Sequence, residues 1–368
     1  MRIGVNARLL LSDKMEGMPR YIYETTKQMA LSHPDDRFIL FFDRKIKVDF
    51  GFPPNVESVI VPWHARHPIL WYWWFEMMIP LYLWWYKIDV FYSGDGYMSL
   101  RTHTPTLMVI HDLAYVHYPE QIQASSLWHY TRFVPKYLKQ AAALVTVSHF
   151  VKQDIHDQFD IPLAKIKVAG NAVDMIPKID STFNAAQVQT TIQEKPYFLY
   201  IGALHPRKNI LNLIQGFLIF NQEKRFNLVL AGRMAWKTDE IQTQILENPN
   251  IIYLGMVSEN EKYSLIKNAV AVTYVSLFEG FGIPILEAMH AGTAVITSDV
   301  TSMPEVAGDA ALKVNPHQPQ DIAKAMETLA NDDELRHQLV LKGHQRCKAY
   351  SWEVTGNMIY QELVRIKV

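Results

Sequence analysis

Short runs of apolar residues alternate with amphipathic stretches from the N-terminus to about residue 170, and the alternation restarts near residue 197. Arg2–Leu10, Phe38–Asp43, Val56–Pro62, Ile88–Ser93, Thr106–His111, Ala143–Ser148 and Lys165–Gly170 read as strands. Tyr21–Leu31, Ser125–Ala142 and Phe150–Phe159 have helical spacing. In the second half, Tyr197–Gly202, Asn227–Gly232, Ile251–Leu254, Val270–Ser276, Ala294–Ser298 and Ala311–Val314 read as strands, with helical stretches between them. Three further helical stretches, Asp321–Ala330, Asp333–Tyr350 and Trp352–Ile366, close the chain. This order predicts an α/β fold of mainly parallel sheets, each covered by helices on both faces. The lapse from Met175 to Pro196 is polar and contains Pro177, so it reads as a crossing between domains. Two doubly wound domains follow, residues 1–175 and 195–350, with a final helix over 351–368 packing back toward the first. A length of 368 residues suits two domains.

Composition removes several function classes. Lys plus Arg number 36 and Asp plus Glu 37, a net charge of −1. A dedicated nucleic-acid binder carries a basic excess, so no nucleic-acid partner is expected. One cysteine, Cys347, excludes an intrachain disulfide and a Cys-rich zinc site. The N-terminus, Met-Arg-Ile-Gly-Val-Asn-Ala-Arg, reads as a strand and not as a secretion signal, which leaves the cytoplasm as the expected location.

The segment Leu70 to Tyr86, LWYWWFEMMIPLYLWWY, holds five of the nine tryptophans. Its length approaches a membrane span, yet it carries Glu76 and Pro80. Trp and Tyr favour the bilayer interface over its centre. Three readings stay open: a helix packed in the domain or at a subunit contact, a surface helix resting on lipid, and a span. Lys87, His64, Arg66 and His67 flank it and add to the lipid reading. The protein is thus expected in the cytoplasm or peripherally at the inner face of the membrane.

The chemistry concentrates at Val275–Glu287. A buried strand ends near Ser276 and a helix begins near Pro284, where the missing proline N–H costs nothing. Gly280 and Gly282 let backbone approach a ligand, and the positive helix start suits a phosphate. Glu279 and Glu287 flank that loop, and a carboxylate accepts from a pair of sugar hydroxyls. Upstream, Arg207 and Lys208 follow a strand and open a helix, placed to neutralise a departing diphosphate.

The string Glu279-Gly280-Phe281-Gly282-Ile283-Pro284-Ile285-Leu286-Glu287 closely resembles the E-x7-E signature of retaining GT-B glycosyltransferases of family 4. Gly202-Ala203-Leu204-His205-Pro206-Arg207-Lys208-Asn209 resembles the family's donor-phosphate turn, with Ala203 where many members have Arg. Ser302-Met303-Pro304-Glu305-Val306-Ala307-Gly308-Asp309 is similar to another family segment, where Glu305 reads as structural. Gly17-Met18-Pro19-Arg20 resembles the Gly-rich acceptor and phosphate loop, although Met18 and Pro19 depart from it. His111-Asp112-Leu113 ends a strand where the family places a His near the transferred sugar. Thr146-Val147-Ser148 and Asn171-Ala172-Val173-Asp174 match further segments.

The resemblance implies two Rossmann-like domains facing across a cleft, and retention of anomeric configuration. The implied catalytic residues are His111, Glu279, Arg207 and Lys208. The implied substrate-binding residues are Glu287, Gly280, Phe281, Gly282, Ile283, Gly17 and Arg20. The partners are a nucleotide sugar, GDP-mannose first and a UDP-sugar next, and a glycan or lipid-linked acceptor in cell-surface polysaccharide synthesis. No cofactor and no essential metal are expected: Asp35-Asp36 and Asp332-Asp333 are adjacent charges in polar loops. A nucleotide-sugar epimerase or phosphorylase on the same fold, or a non-enzymatic sugar-nucleotide-binding protein, are the alternatives.

Overall fold

The computed structural model describes residues 1–11, 15–46, 48–65, 68–173, 192, 195–235 and 238–367. The polar crossing expected over Met175 to Pro196 lies almost wholly outside the described residues, as do Asp174, Arg66 and His67. The chain divides into two compact units: Met1–Asn171 with Trp352–Val368, and Ala172–Ser351.

The first unit is built on seven strands: β1 (Arg2–Asn6), β2 (Arg37–Phe42), β3 (Val56–Ile60), β4 (Val90–Ser93), β5 (Thr106–Ile110), β6 (Ala143–Thr146) and β7 (Ile166–Val168). All pair in parallel in the order β3-β2-β1-β4-β5-β6-β7. Its helices are α1 (Met18–Ser32), α2 (Pro68–Trp73), α3 (Ile79–Trp85), α4 (Ala114–His117), α5 (Ala124–Gln140) and α6 (His149–Phe159). The central strands are buried throughout, as apolar runs such as TLMVI in β5 require when helices cover both faces.

The second unit has β8 (Tyr197–Ile201), β9 (Asn227–Ala231), β10 (Ile251–Gly255), β11 (Ala271–Tyr274), β12 (Val295–Ser298) and β13 (Leu312–Val314), parallel in the order β10-β9-β8-β11-β12-β13. Helices α7 (Ile210–Phe220), α8 (Asp239–Glu247), α9 (Glu259–Asn268), α10 (Ile283–Ala291), α11 (Met303–Ala307), α12 (Pro319–Asn331) and α13 (Asp333–Cys347) join them. In each sheet the chain starts mid-sheet, runs to one edge, then returns to the other side of its first strand. The crevices therefore open at the C-terminal ends of β1/β4 and β8/β11. Just past the ends of β8 and β9, backbones approach so closely that a Cβ on Gly232 would lie 2.0 Å from the Gly202 carbonyl oxygen.

The last helix, α14 (Trp352–Ile366), belongs to the first unit and packs along α1. Thr355 Oγ1 donates to Gly170 O at 2.7 Å, and Tyr360 stacks on His33 with ring centroids 3.4 Å apart. Gly356 permits the approach: a Cβ there would sit 2.9 Å from the Gln28 Cβ.

Some boundaries differ from expectation. The first strand stops at Asn6, because Arg8 turns to bond Asp95 at 2.7 Å. Helix α1 begins three residues early, at Met18, with Pro19 in its first turn. The aromatic segment is not one regular helix. Trp74–Met78 forms a π-helical turn between α2 and α3, with the Ile79 N–H donating to Trp74 O. Pro80 cannot donate to the Glu76 carbonyl, so the wider turn absorbs the missing bond. No helix among the described residues is long and apolar enough to cross a membrane, which removes the span reading there.

Candidate active site

The site residues of the second unit gather where β8 and β11 end. After Ile201, Gly202 turns at φ 140° and the chain forms a short 3-10 turn, Pro206–Lys208, before α7. Asn209, at φ 62°, anchors that turn: its Nδ2 donates to Val275 O at 3.0 Å and Pro316 O at 2.6 Å. The Leu277 N–H donates to Arg207 O at 2.9 Å, so the turn and the strand leaving β11 hold each other.

This places Lys208 and Glu279, seventy-one residues apart in sequence, in direct contact. Lys208 Nζ donates to Glu279 Oε1 and to the Tyr274 hydroxyl at 2.8 Å, and that hydroxyl donates to the same Oε1 at 3.0 Å. Arg207 Nη1 donates to Phe278 O at 3.3 Å. Burial pushes the Glu279 carboxyl up, but Lys208 and Arg207 outweigh it and hold the group below the usual carboxylate range. Burial, then Glu279, raise Tyr274 well above a free phenol, so it stays protonated and donates. His205 is held down to about 4 by burial and by Arg207 and Lys208, and its neutral ring accepts from the Arg207 N–H.

The loop from Glu279 to Ile283 is pinned from α11. Ser302 Oγ donates to Glu279 O at 2.8 Å and to Phe281 O at 3.0 Å, and Thr301 Oγ1 accepts from the Glu279 N–H at 3.3 Å. Phe281 is buried against Tyr350, edge to face. Gly282 sits at φ 104° as N-cap of α10, a position strained for any residue with a Cβ. No side chain caps α10 and its first turn has no acid, so the positive end of the helix keeps its affinity for an anion. Glu287 lies one turn further in, and Lys262 of α9 donates to its Oε1 at 2.8 Å and pairs with Glu259 at 2.9 Å. Burial lowers Lys262 and the Glu287 charge more than restores it, so the pair is ionic.

In the first unit, His111 follows β5 and is half-buried, its ring edge-on to Tyr21 at 5.1 Å. Its Nε2 lies 2.8 Å from Gly94 O. A carbonyl only accepts, so Nε2 carries the proton and Nδ1 is an acceptor. Burial outweighs the Gly94 bond and keeps the ring neutral. Gly17 is the N-cap of α1 at φ 57°, and Arg20 pairs with Glu24 at 3.4 Å on that helix.

Sequence reading missed Tyr274, His205, Ser302 and Lys262, and a cluster at the β1/β4 crevice. There Asn6 Nδ2 donates to Asp95 Oδ1 at 2.8 Å and Arg8 Nε to Asp95 Oδ2 at 2.7 Å, with Arg8 over the Tyr97 ring. The signal was available: polar residues directly after two strands that neighbour across a switch point.

The second of two parallel-sheet domains thus carries an acid–base–phenol cluster at its switch point. Residues 182–346 match the family model "Glycosyl transferases group 1", and residues 15–175 match "Glycosyltransferase Family 4". The O-antigen chain mannosyltransferase B of Escherichia coli is 31% identical over 277 residues, 73% of this chain and 72% of that protein. The O-antigen chain mannosyltransferase RfbU of Salmonella typhimurium is 29% identical over 287 residues, 75% of each. The crystal structure of WaaG, a glycosyltransferase involved in lipopolysaccharide biosynthesis, shares the fold with a TM-score of 0.75 at 13% identity, covering 99% of both chains. The chain belongs to the group 1, family 4 glycosyltransferases.

Proposed function

We propose that the protein transfers a mannosyl residue, with retention, from GDP-mannose to a hydroxyl of a glycan or lipid-linked acceptor in cell-surface polysaccharide synthesis. The observation that carries this is the Lys208–Glu279–Tyr274 cluster beside Arg207 at the β8/β11 switch point. The two mannosyltransferase relatives support the sugar.

Arg207, Lys208 and the start of α10 stabilise charge growing on the departing diphosphate, which needs no nucleophile from the protein. Glu279 accepts from hydroxyls of the transferred sugar, and Glu287 from those of the ribose or the sugar. His111, neutral with Nδ1 as an acceptor, takes another sugar hydroxyl. Gly17 and Arg20 serve the acceptor side. The anomeric C–O bond to phosphate breaks, the acceptor oxygen bonds the same face, and its proton passes to the departing phosphate. Two resident cations make a metal dispensable, so chelation leaves turnover intact. The enzyme acts at the inner face of the membrane, with the 70–86 segment resting on the bilayer.

Thermal-shift and turnover screening with GDP-mannose, GDP and UDP-sugars tests the donor. Anomeric proton couplings of the product test retention. Full turnover in both Glu287→Ala and Lys208→Ala would sink the donor-site assignment. Donor consumption that proceeds unchanged without acceptor would favour an epimerase.

A further inference from the structure

The helical run over 70–85 is apolar on two sides. Trp71, Phe75, Ile79 and Leu83, four residues apart, are buried in the first unit. A second ridge with similar spacing, Trp73, Met77, Leu81 and Trp84, points outward, and Trp85 joins it. Trp73 is 50%, Trp85 70% and Trp84 76% exposed. A helix apolar all round is normally covered all round, and exposed apolar surface of this extent marks an interaction site.

The charge around the ridge is one-sided, although the whole chain is close to neutral. The one acid between Leu70 and Tyr86 is Glu76, and it turns inward to the Leu100 N–H and Ser99 hydroxyl. Glu57 of β3 acts on Tyr86, next to Trp85, at the C-terminal end of the ridge. Helix α5 carries no acid. It packs beside α2, with Trp71 4.1 Å from His129 and 5.7 Å from Phe133 between ring centroids. Its exposed stripe reads Trp128, Arg132 and Lys136 at four-residue spacing, then Lys139. Arg101 links the two elements, donating to the Tyr72 hydroxyl at 2.9 Å and Met77 Sδ at 3.2 Å, while Gln140 of α5 donates to Leu100 O at 3.0 Å.

We infer that this face is a docking surface for acidic phospholipid. The tryptophans seat in the headgroup–acyl boundary, and Arg132, Lys136, Lys139 and Arg101 meet lipid phosphates. The inference rests on the bilayer contact proposed above and specifies its lipid chemistry. A second copy of the chain is the weaker occupant. A two-fold contact sets a patch against itself, so this acid-free basic row would meet its own like charges.

The test is flotation of the full-length protein with vesicles of phosphatidylcholine, alone or mixed with phosphatidylglycerol. Binding to the acidic mixture should be at least about tenfold tighter and weaken with salt. Arg132→Glu/Lys136→Glu/Lys139→Glu should lose that preference while keeping its thermal transition and its donor turnover with a soluble acceptor. Trp84→Ser/Trp85→Ser should lose binding to both vesicle types. Equal binding to both vesicles, still dependent on Trp84 and Trp85, would overturn the acidic-lipid inference and leave bilayer contact standing. Binding to neither overturns both. Self-association abolished by the tryptophan replacements, without vesicle binding, would assign the face to a second copy.

Discussion

Replacing Lys208 with Met strands a carboxylate. Glu279 is buried, with its side chain 10% exposed against 16% for Lys208. Two unit charges about 3 Å apart at an effective dielectric of about 20 attract by about 5 kcal/mol. Removing one partner of such a pair costs about 3–5 kcal/mol, because the other stays buried and unpaired. Arg207 continues to act on Glu279, which puts the expected loss near the lower end, about 3 kcal/mol. Glu279→Gln in the Lys208→Met background removes the stranded charge and should recover about 2 kcal/mol, a coupling a double-mutant cycle reads directly. Urea unfolding with hydrogen exchange at the β8 and β11 amides supplies the four free energies. The pH response should also change sign. In the native protein Glu279 lies below its ordinary 4.5, so its stabilisation is present above that value and lost as pH falls through the folded pKa. Without Lys208, burial raises the group, and the variant becomes more stable as pH falls toward it. A loss below about 1 kcal/mol, with the double variant equal to the sum of the singles, would refute the coupled-pair account.

Three further outcomes follow from the same geometry. His205 is held to about 4 against an ordinary 6.5, so the unfolded chain binds its proton first and stability falls as pH drops from 6.5 toward 4; His205→Gln should flatten that slope in denaturation series taken across the window. Lys262→Met frees Glu287 from its ion pair and should raise the donor KM with kcat little changed, as steady-state kinetics would show, while Lys262→Arg restores much of it. Gly232→Ala sets a Cβ 2.0 Å from Gly202 O at φ 139°, where nothing flexible can yield; thermal melting should show a loss of at least about 2 kcal/mol.

Much of the fold was legible because parallel strands buried on both faces must be apolar throughout. Runs such as Tyr197–Ile201 and Asn227–Ala231 have no other home in a soluble domain. The loop at 278–287 was legible because its glycines and proline fix backbone locally: Gly282 adopts φ 104° and Pro284 lies in the first helical turn. Tyr274 was not legible. It is the last residue of a buried strand, and only the neighbouring turn brings Lys208 to its hydroxyl. The π-helical turn at Trp74–Met78 was equally hidden, since the effect of Pro80 depends on whether the surrounding core lets the helix bend or widen.

By itself the sequence determined two α/β units, their parallel sheets, and a glycine-containing loop into a helix start flanked by Glu279 and Glu287, because periodicity and backbone preference act over neighbouring residues. Tertiary structure alone decided which charges meet. It gave Glu279 to Lys208 and Tyr274, Glu287 to Lys262, and Asp95 to Arg8 and Asn6. Those pairings join residues twenty-five or more apart along the chain for all but Tyr274, and sheet order, which sets them, is written in no single stretch of residues.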